Sequence, residues 1–414
     1  MKKIIISAYT CCPNRGSEPG NGWNWIINYH KNNYEVLVLT SGMFTDKIKE
    51  YTASHQCNIS FRFFDSKFGL SLLKIPFFGA YLHYYLWLYR SRNYIKKIKP
   101  QEWAAYDFAH HVTYSSIKLG TPLYKIPVPV LMGPMGGAAP VHRSLRKYFG
   151  KYYFPEWVKE NFSALLGSVN PTVKKSIRNA KHIFVSNSKV QEFADKYRPH
   201  STSRMYDAGL SDYFEMEFPI RTLNSDVVTV IWVGRMLPRK GLTLAIDAFQ
   251  RLTQTATRGR TYRLLVAGEG IMKQKAMNLV GKYNLDREVT FLGNVPHDVL
   301  VGYYKQSHVF LFPSLKDSCP MQIFEAMATG LPVVTLDHQG MTHQVIPGTG
   351  IKIGIGNHID YPAGLAKGIL ELTEAEDTYK QYSRAAYEHG QNQIWSKRIR
   401  KYVQDDWANL IHQP

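Results

Sequence analysis

KDSCPMQIFEAMATGLPVV, residues Lys316 to Val334, sets two carboxylates, Asp317 and Glu325, eight positions apart around a predicted helix start. The run before it, HVFLFP from His308 to Pro313, is apolar and short enough for a buried strand, and the stretch after Pro320 reads as a helix that stops at Gly330 ahead of Pro332. The intervening loop therefore lies at the carboxyl end of a strand. Open parallel sheets bind ligands there, and the start of the next helix offers backbone N–H groups to a phosphate. Asp317 falls in that loop and Glu325 one to two turns into the helix, so one molecule carrying a phosphate and several hydroxyls, such as a nucleotide sugar, can touch both. Read alone, a capped helix with one incidental acid fits the same letters.

Upstream, VTVIWVGRMLPRKGLTLAIDAF repeats the pattern with the opposite charge. An apolar run from Val228 to Val233 leads into Gly234, Arg235, Arg239, Lys240 and Gly241, then into an amphipathic helix marked by Leu242, Ile246 and Phe249. A diphosphate leaving group gains charge as its bond to a sugar breaks, and fixed cations there favour the transition state over the ground state. Arg235 and Lys240 are the candidates for that role, against the plainer reading of a solvated basic loop.

VGRMLPRKG, LLVAGEG, VTFLGNVP and DSCPMQIFEAMATGLPVV, taken together and in this order, resemble the carboxyl-terminal half of the GT-B glycosyltransferases of family 4. That family places an acid, seven residues and a second acid at the donor site, usually Glu at both ends; here Asp317 comes first and Glu325 second. The shorter first acid leaves the identity of the sugar less predictable. The resemblance implies that Glu325 holds the ribose hydroxyls, Asp317 the transferred sugar, and Arg235 and Lys240 the diphosphate. Backbone around Met321 and Gln322 would contact sugar or phosphate, and the base would be read near Leu292 to Val295, Asn294 included, and around Glu269.

The amino-terminal half carries an independent likeness. MKKIIISAYTCCPNRGSEPGNGWNW opens with a short apolar strand, Ile4 to Ile6, and enters a loop with Gly16, Gly20 and Gly22, where glycine would let backbone approach a ligand. A subgroup of the same family has a similar Arg-Gly-Ser-Glu-Pro-Gly loop followed by a Trp, as Trp23 follows here. YDFAHHVTYSS ends another strand on His110 and His111, and alternation along a strand allows at most one of them to face a cleft. With LMGPMGGAAP after them, they resemble the family's donor-facing histidine and the glycine-rich loop that follows.

A chain of 414 residues is too long for one ordinary core and suits two α/β domains with parallel sheets. The expected division is an amino-terminal acceptor domain over 1–220, a nucleotide-sugar domain over 221–395 beginning after the polar RTLNSD segment, and a final helix over 396–414. The GT-B resemblance implies two Rossmann-like domains whose sheets face across a cleft, with that last helix crossing back to the first domain.

The formal net charge is +19, and it is uneven. Over residues 1–220, 29 Lys and Arg face 15 Asp and Glu, which leaves +14 there and +5 in the rest. Such a bias favours an anionic partner. FGLSLLKIPFFGAYLHYYLWLYRSRNYIKKIK, Phe68 to Lys99, and KYFGKYYFPEWVKE, Lys147 to Glu160, interleave aromatics with Lys and Arg as interfacial helices do; both also fit helices packed on the core with basic outer faces. No apolar run reaches the length of a membrane span, the first residues lack a signal-peptide pattern, and the four cysteines are too few for a disulfide framework, so a cytoplasmic, reduced protein is expected. No Cys or His spacing resembles a metal site.

The resemblance implies a retaining, metal-independent glycosyltransferase, and the expected donor is a UDP- or GDP-linked sugar with no other cofactor. Its acceptor would be a glycan or lipid-linked glycan of bacterial surface polysaccharide, met at the inner face of the membrane. The rivals are another GT-B enzyme, an epimerase or a phosphorylase, and a basic nucleic-acid-binding protein, which lacks any recognition motif here. An inactive transferase is a further alternative, raised by Asp317.

Overall fold

The computed structural model describes residues 2–65, 67–75, 79–137, 140–223, 226–255, 259–403 and 407. They form two compact units, Met1–Ala138 with Val158–Gly209 and Trp395–Pro414, and Ala139–Trp157 with Leu210–Ile394.

The first unit is built on seven parallel strands: β1 (Lys2–Ala8), β2 (Tyr34–Thr40), β3 (Ile59–Phe63), β4 (Phe108–Thr113), β5 (Val130–Met135), β6 (His182–Val185) and β7 (Thr202–Arg204), in the order β3-β2-β1-β4-β5-β6-β7. Helices cover both faces, so β1 reads as an unbroken apolar run; Ile4, Ile5 and Ile6 are all fully buried. On one face Trp25, Ile26 and Tyr29 of the helix Ser17–Lys31 pack with Phe108, Val36 and Val38. Trp395 and Ile399 of the helix Trp395–Lys401, and Trp407, enter the same cluster, with the Trp25 and Trp395 rings 5.5 Å apart. This shared aromatic core is why the end of the chain belongs to the first unit.

The second unit repeats the plan with β8 (Val227–Val233), β9 (Thr261–Ala267), β10 (Val289–Gly293), β11 (Val309–Phe312), β12 (Val333–Leu336) and β13 (Gly350–Ile353). All pair in parallel, in the order β10-β9-β8-β11-β12-β13.

The units divide the chain differently from 1–220, 221–395 and 396–414. Residues 210–220 join the second unit because side chains of the helix Glu376–Gln391 hold them: Gln391 donates to Phe214 O (2.8 Å), Tyr387 donates to Met216 O (2.6 Å), and the Phe218 ring lies against Tyr387. Arg221, expected in a polar linker, is 6% exposed and bonded to backbone carbonyls. Residues 139–157, which come between β5 and β6 in sequence, also belong to the second unit. Ser144 Oγ meets Tyr361 Oη at 2.6 Å, Gln339 donates to Pro140 O at 3.2 Å, and Lys316 pairs with Glu156 at 2.6 Å.

Of the two aromatic and basic segments, the first is largely a core element. In the helix Gly79–Ile95, His83, Tyr84, Trp87, Leu88 and Ile95 are buried, several of them against Tyr9 and Leu119; residues 66 and 76–78 lie outside the described residues, as do 404–406 and 408–414 of the last segment. The helix Tyr153–Val169 differs: Phe154 is 68% exposed and Trp157, Val158, Leu165 and Val169 are exposed with it. Among the described residues no helix is long and apolar enough to cross a membrane.

Candidate functional site

In the second sheet the strand order reverses between β8 and β11, so the connections leaving their carboxyl ends diverge and leave a crevice. Both charged loops predicted from sequence emerge there. Gly241 closes the first with φ +70°, and a Cβ at that position would lie 2.0 Å from Pro313 O, so only glycine lets the two loops touch. Arg239 O accepts from Leu315 N (2.7 Å) and Ser314 Oγ (3.0 Å), stitching the loops together.

That contact brings cations to the first acid. Lys240 Nζ lies 2.5 Å from Asp317 Oδ2, and Arg239 Nη1 lies 3.3 Å from the same oxygen. Lys240 is 5% exposed, with its ammonium over the Phe312 ring. Burial pulls the Lys240 ammonium below the usual lysine range; Asp317 opposes that, while Arg239 and Arg235 add to it. Asp317 is also fixed through its backbone, donating to Gln339 Oε1 (3.0 Å) and accepting from Gly340 N (3.1 Å). Arg235 stands exposed on the first loop. The crevice thus holds Arg235, Arg239 and Lys240 against one carboxylate, a surplus of positive charge suited to a diphosphate.

Glu325 sits one turn into the helix Met321–Ala328, 4% exposed. Tyr304, fully buried on the helix His297–Gln306, donates its hydroxyl to Oε2 (3.1 Å), and His297 Nε2 lies 3.5 Å from Oε1. Met321 and Gln322 form the first turn of the Glu325 helix, whose leading N–H groups have no intrahelical acceptor. Glu269 follows β9, pairs with Lys273 (2.6 Å) and accepts Met236 N on its carbonyl (2.8 Å), which places it beside the Arg235 loop. Asn294 follows β10 and is exposed. Arg235, Lys240, Glu269, Asn294, Asp317, Met321, Gln322 and Glu325 are therefore all borne by the carboxyl edge of one sheet.

His110, His111 and Gly16 lie in the first unit. Both histidines are fully buried, and burial pushes each down to about 3, so both rings are neutral. His110 spends Nδ1 on Tyr29 Oη (3.0 Å) and Nε2 on Gly133 O (2.7 Å), inside the aromatic cluster with Trp25 and Trp407. His111 points to the opposite face, with Nδ1 3.0 Å from Ser7 Oγ and Nε2 without a partner among the described residues. Gly16 has φ −84°, and nothing lies within 4 Å of an added Cβ. The expected loop is shorter than the sequence suggested: Gly20 and Gly22 lie in the helix Ser17–Lys31, and the need for glycine falls on them, where a Cβ would meet Arg15 O at 1.9 Å and Thr10 O at 2.4 Å. Glu18, in the first turn of the same helix, accepts Ser115 N (2.9 Å) and so ties the start of that helix to the segment that follows β4.

Sequence reasoning passed over Arg239, Gln339, Tyr304 and His297 as site residues. Arg239 stands next to Lys240 in the basic run, a signal that was there to use; the other three reach the acids only through tertiary contacts.

Two parallel α/β units of this strand order define the GT-B fold. Residues 214–389 match the family model described as glycosyl transferases group 1. An uncharacterized glycosyltransferase of Methanocaldococcus jannaschii is 29% identical over 155 residues, 37% of this chain and 36% of that protein. The amylovoran biosynthesis glycosyltransferase AmsK of Erwinia amylovora is 30% identical over 118 residues, 27% of this chain and 28% of that protein. The match thus spans about a third of the length of these relatives. Anabaena HepE, solved in complex with UDP, superposes with a TM-score of 0.61 at 15% identity, covering 99% of this chain and 100% of its own; at that identity the likeness is one of fold.

Proposed function

We propose that the chain is a glycosyltransferase that moves a sugar from a nucleoside-diphosphate donor to a glycan acceptor. The observation that carries this is the convergence of Arg239 and Lys240 on Asp317 at the reversal point of the second sheet, with Glu325 on the next helix. Arg235, Arg239 and Lys240 take the diphosphate, and Glu325 takes the ribose hydroxyls. Asp317 uses Oδ2 for its cations, which leaves Oδ1 to accept a hydroxyl of the sugar. As the anomeric bond breaks, the charge that develops on the leaving phosphate is met by cations already in place, with little reorganisation. Those cations balance the diphosphate without a divalent ion, and the acceptor attacks from the face the diphosphate leaves, which retains configuration. The AmsK likeness and the basic amino-terminal half favour an acceptor in surface polysaccharide assembly, lipid-linked and reached from the cytoplasmic side.

Thermal unfolding with UDP-, GDP-, ADP- and CDP-sugars in EDTA tests the donor site. One nucleotide class raises Tm by several degrees in the wild type, and Glu325→Ala abolishes the rise; a panel with no shift at all sinks the proposal.

Membrane contact rests on the helix Tyr153–Val169, whose exposed Phe154, Trp157 and Val158 stand with exposed Lys147, Lys151 and Lys159. Cosedimentation with phosphatidylglycerol vesicles falls as salt rises and drops at least about threefold in Phe154→Ser/Trp157→Ser, because both apolar insertion and anionic attraction contribute. Binding unchanged by the double substitution would remove this helix from the membrane reading.

A further inference from the structure

Glu325 already has a side-chain neighbour at each of its carboxylate oxygens. Glu325 offers two oxygens. Oε2 is spent on the buried Tyr304 hydroxyl, which fixes the carboxylate's orientation, so Oε1 is the oxygen left for a ligand. Oε1 faces His297 Nε2 at 3.5 Å. His297 is the first residue of its helix, half exposed, with its ring edge-on to Phe214 (5.2 Å) and tilted against Tyr213 (5.9 Å). It can therefore swing away from Glu325 without disturbing the core, which Tyr304 cannot.

We propose that His297 is a positioning residue that competes with the donor's ribose hydroxyls for Glu325 Oε1, so that donor affinity follows the protonation state of this imidazole. The inference rests on the reading that Glu325 receives the ribose. The groups that face His297 are Glu325 from the neighbouring helix, Asp298 beside it, Tyr213 from the turn before β8 and Tyr304 behind Glu325. The bond to Glu325, opposed by desolvation and aided by the nearby carboxylates, raises the imidazole above its ordinary value. The sign follows from that. The charged contact is fully made below about pH 6.5 and is lost as pH rises through the raised value, so a ribose hydroxyl displaces an ion pair in acid and only a neutral neighbour in base. Donor binding is weaker in acid and stronger in base, while the contact itself stabilises the fold in acid.

Isothermal titration of the nucleoside diphosphate selected by the thermal panel, at constant ionic strength from pH 5.5 to 8.5, tests this on the full chain. The wild-type Kd rises roughly three- to tenfold from the basic to the acidic end, beyond the nucleotide's own titration. In His297→Gln that excess disappears, and the acid-side Kd falls to what the nucleotide's own titration alone gives. A His297→Gln profile that parallels the wild type, or an acid-side Kd that rises in the variant, overturns the proposal and leaves the donor-site reading intact. Unchanged binding in Glu325→Gln, or no nucleotide bound at any pH, overturns the donor-site reading and this inference with it. Thermal unfolding of both variants without ligand confirms that each folds.

Discussion

Arg235→Ala/Lys240→Ala lowers kcat/KM for the donor by about 10²- to 10³-fold, the range expected when preorganised charge is removed from a developing anion. Lys240 dominates the loss. It is nine-tenths or more buried, lies on an aromatic face, and is held by Asp317, so its charge is fixed in a place of low dielectric before the donor arrives. Arg235 is exposed, so its share is smaller and screened by salt. Arg239 remains in the double variant 3.3 Å from Asp317, which keeps that carboxylate from being left buried without a cation. Steady-state kinetics separate the roles. If the cations act on the leaving group, kcat falls with kcat/KM; if they merely hold the diphosphate, KM rises and kcat stays. A loss of less than about fivefold in kcat/KM would place the leaving-group stabilisation elsewhere.

The elements that frame this site were legible because parallel strands buried on both faces write themselves as apolar runs: Ile4 to Ile6, Val228 to Val233 and Val309 to Phe312 need no alternation to be seen. The loops after Val233 and Phe312 were legible as charged connections for the same reason, since polar residues interrupt the run where the strand leaves the core. Their meeting was not. Lys240 and Asp317 are 77 positions apart, and it is the order of the strands, which no single sequence prints, that makes β8 and β11 neighbours. The partners of Glu325 were hidden likewise, because Tyr304 looks like any core aromatic until its hydroxyl is found on the carboxylate. His110 and His111 were read as ending a strand, whereas β4 continues through them to Thr113; alternation did place them on opposite faces, but burial depends on what covers the sheet, and Trp407 supplies part of the cover for His110. Residues 139–157 gave no local sign of belonging to the second unit, since their ties are single side chains such as Ser144 to Tyr361.

Arg221→Met destabilises the second unit by roughly 4 kcal/mol, seen as a fall in Tm of about 10 °C. The guanidinium is 6% exposed and serves backbone carbonyls, with Tyr379 beside it: Nε and Nη2 donate to Thr329 O (3.0 and 2.7 Å), Nη2 to Tyr304 O (2.8 Å), and Nη1 to Ser307 O. These carbonyls close the helices His297–Gln306 and Met321–Ala328, where the negative ends of two helix dipoles come together. One cation thus caps both helices, and burial, although it lowers the guanidinium from its ordinary value, leaves it charged at neutral pH. Methionine fills much of the volume but strands three acceptors away from water, each costing about 1–3 kcal/mol. Arg221→Lys keeps the charge but cannot span all three, so its loss is smaller, about 2 kcal/mol. The same two helices carry Tyr304, His297 and Glu325, so the cap also sets the spacing between the acid and its partners. Nucleotide affinity measured well below the Tm therefore falls in Arg221→Met along with stability. A variant that melts early yet binds with the wild-type Kd would show that the helix ends can loosen without moving Glu325, and would confine Arg221 to holding the fold.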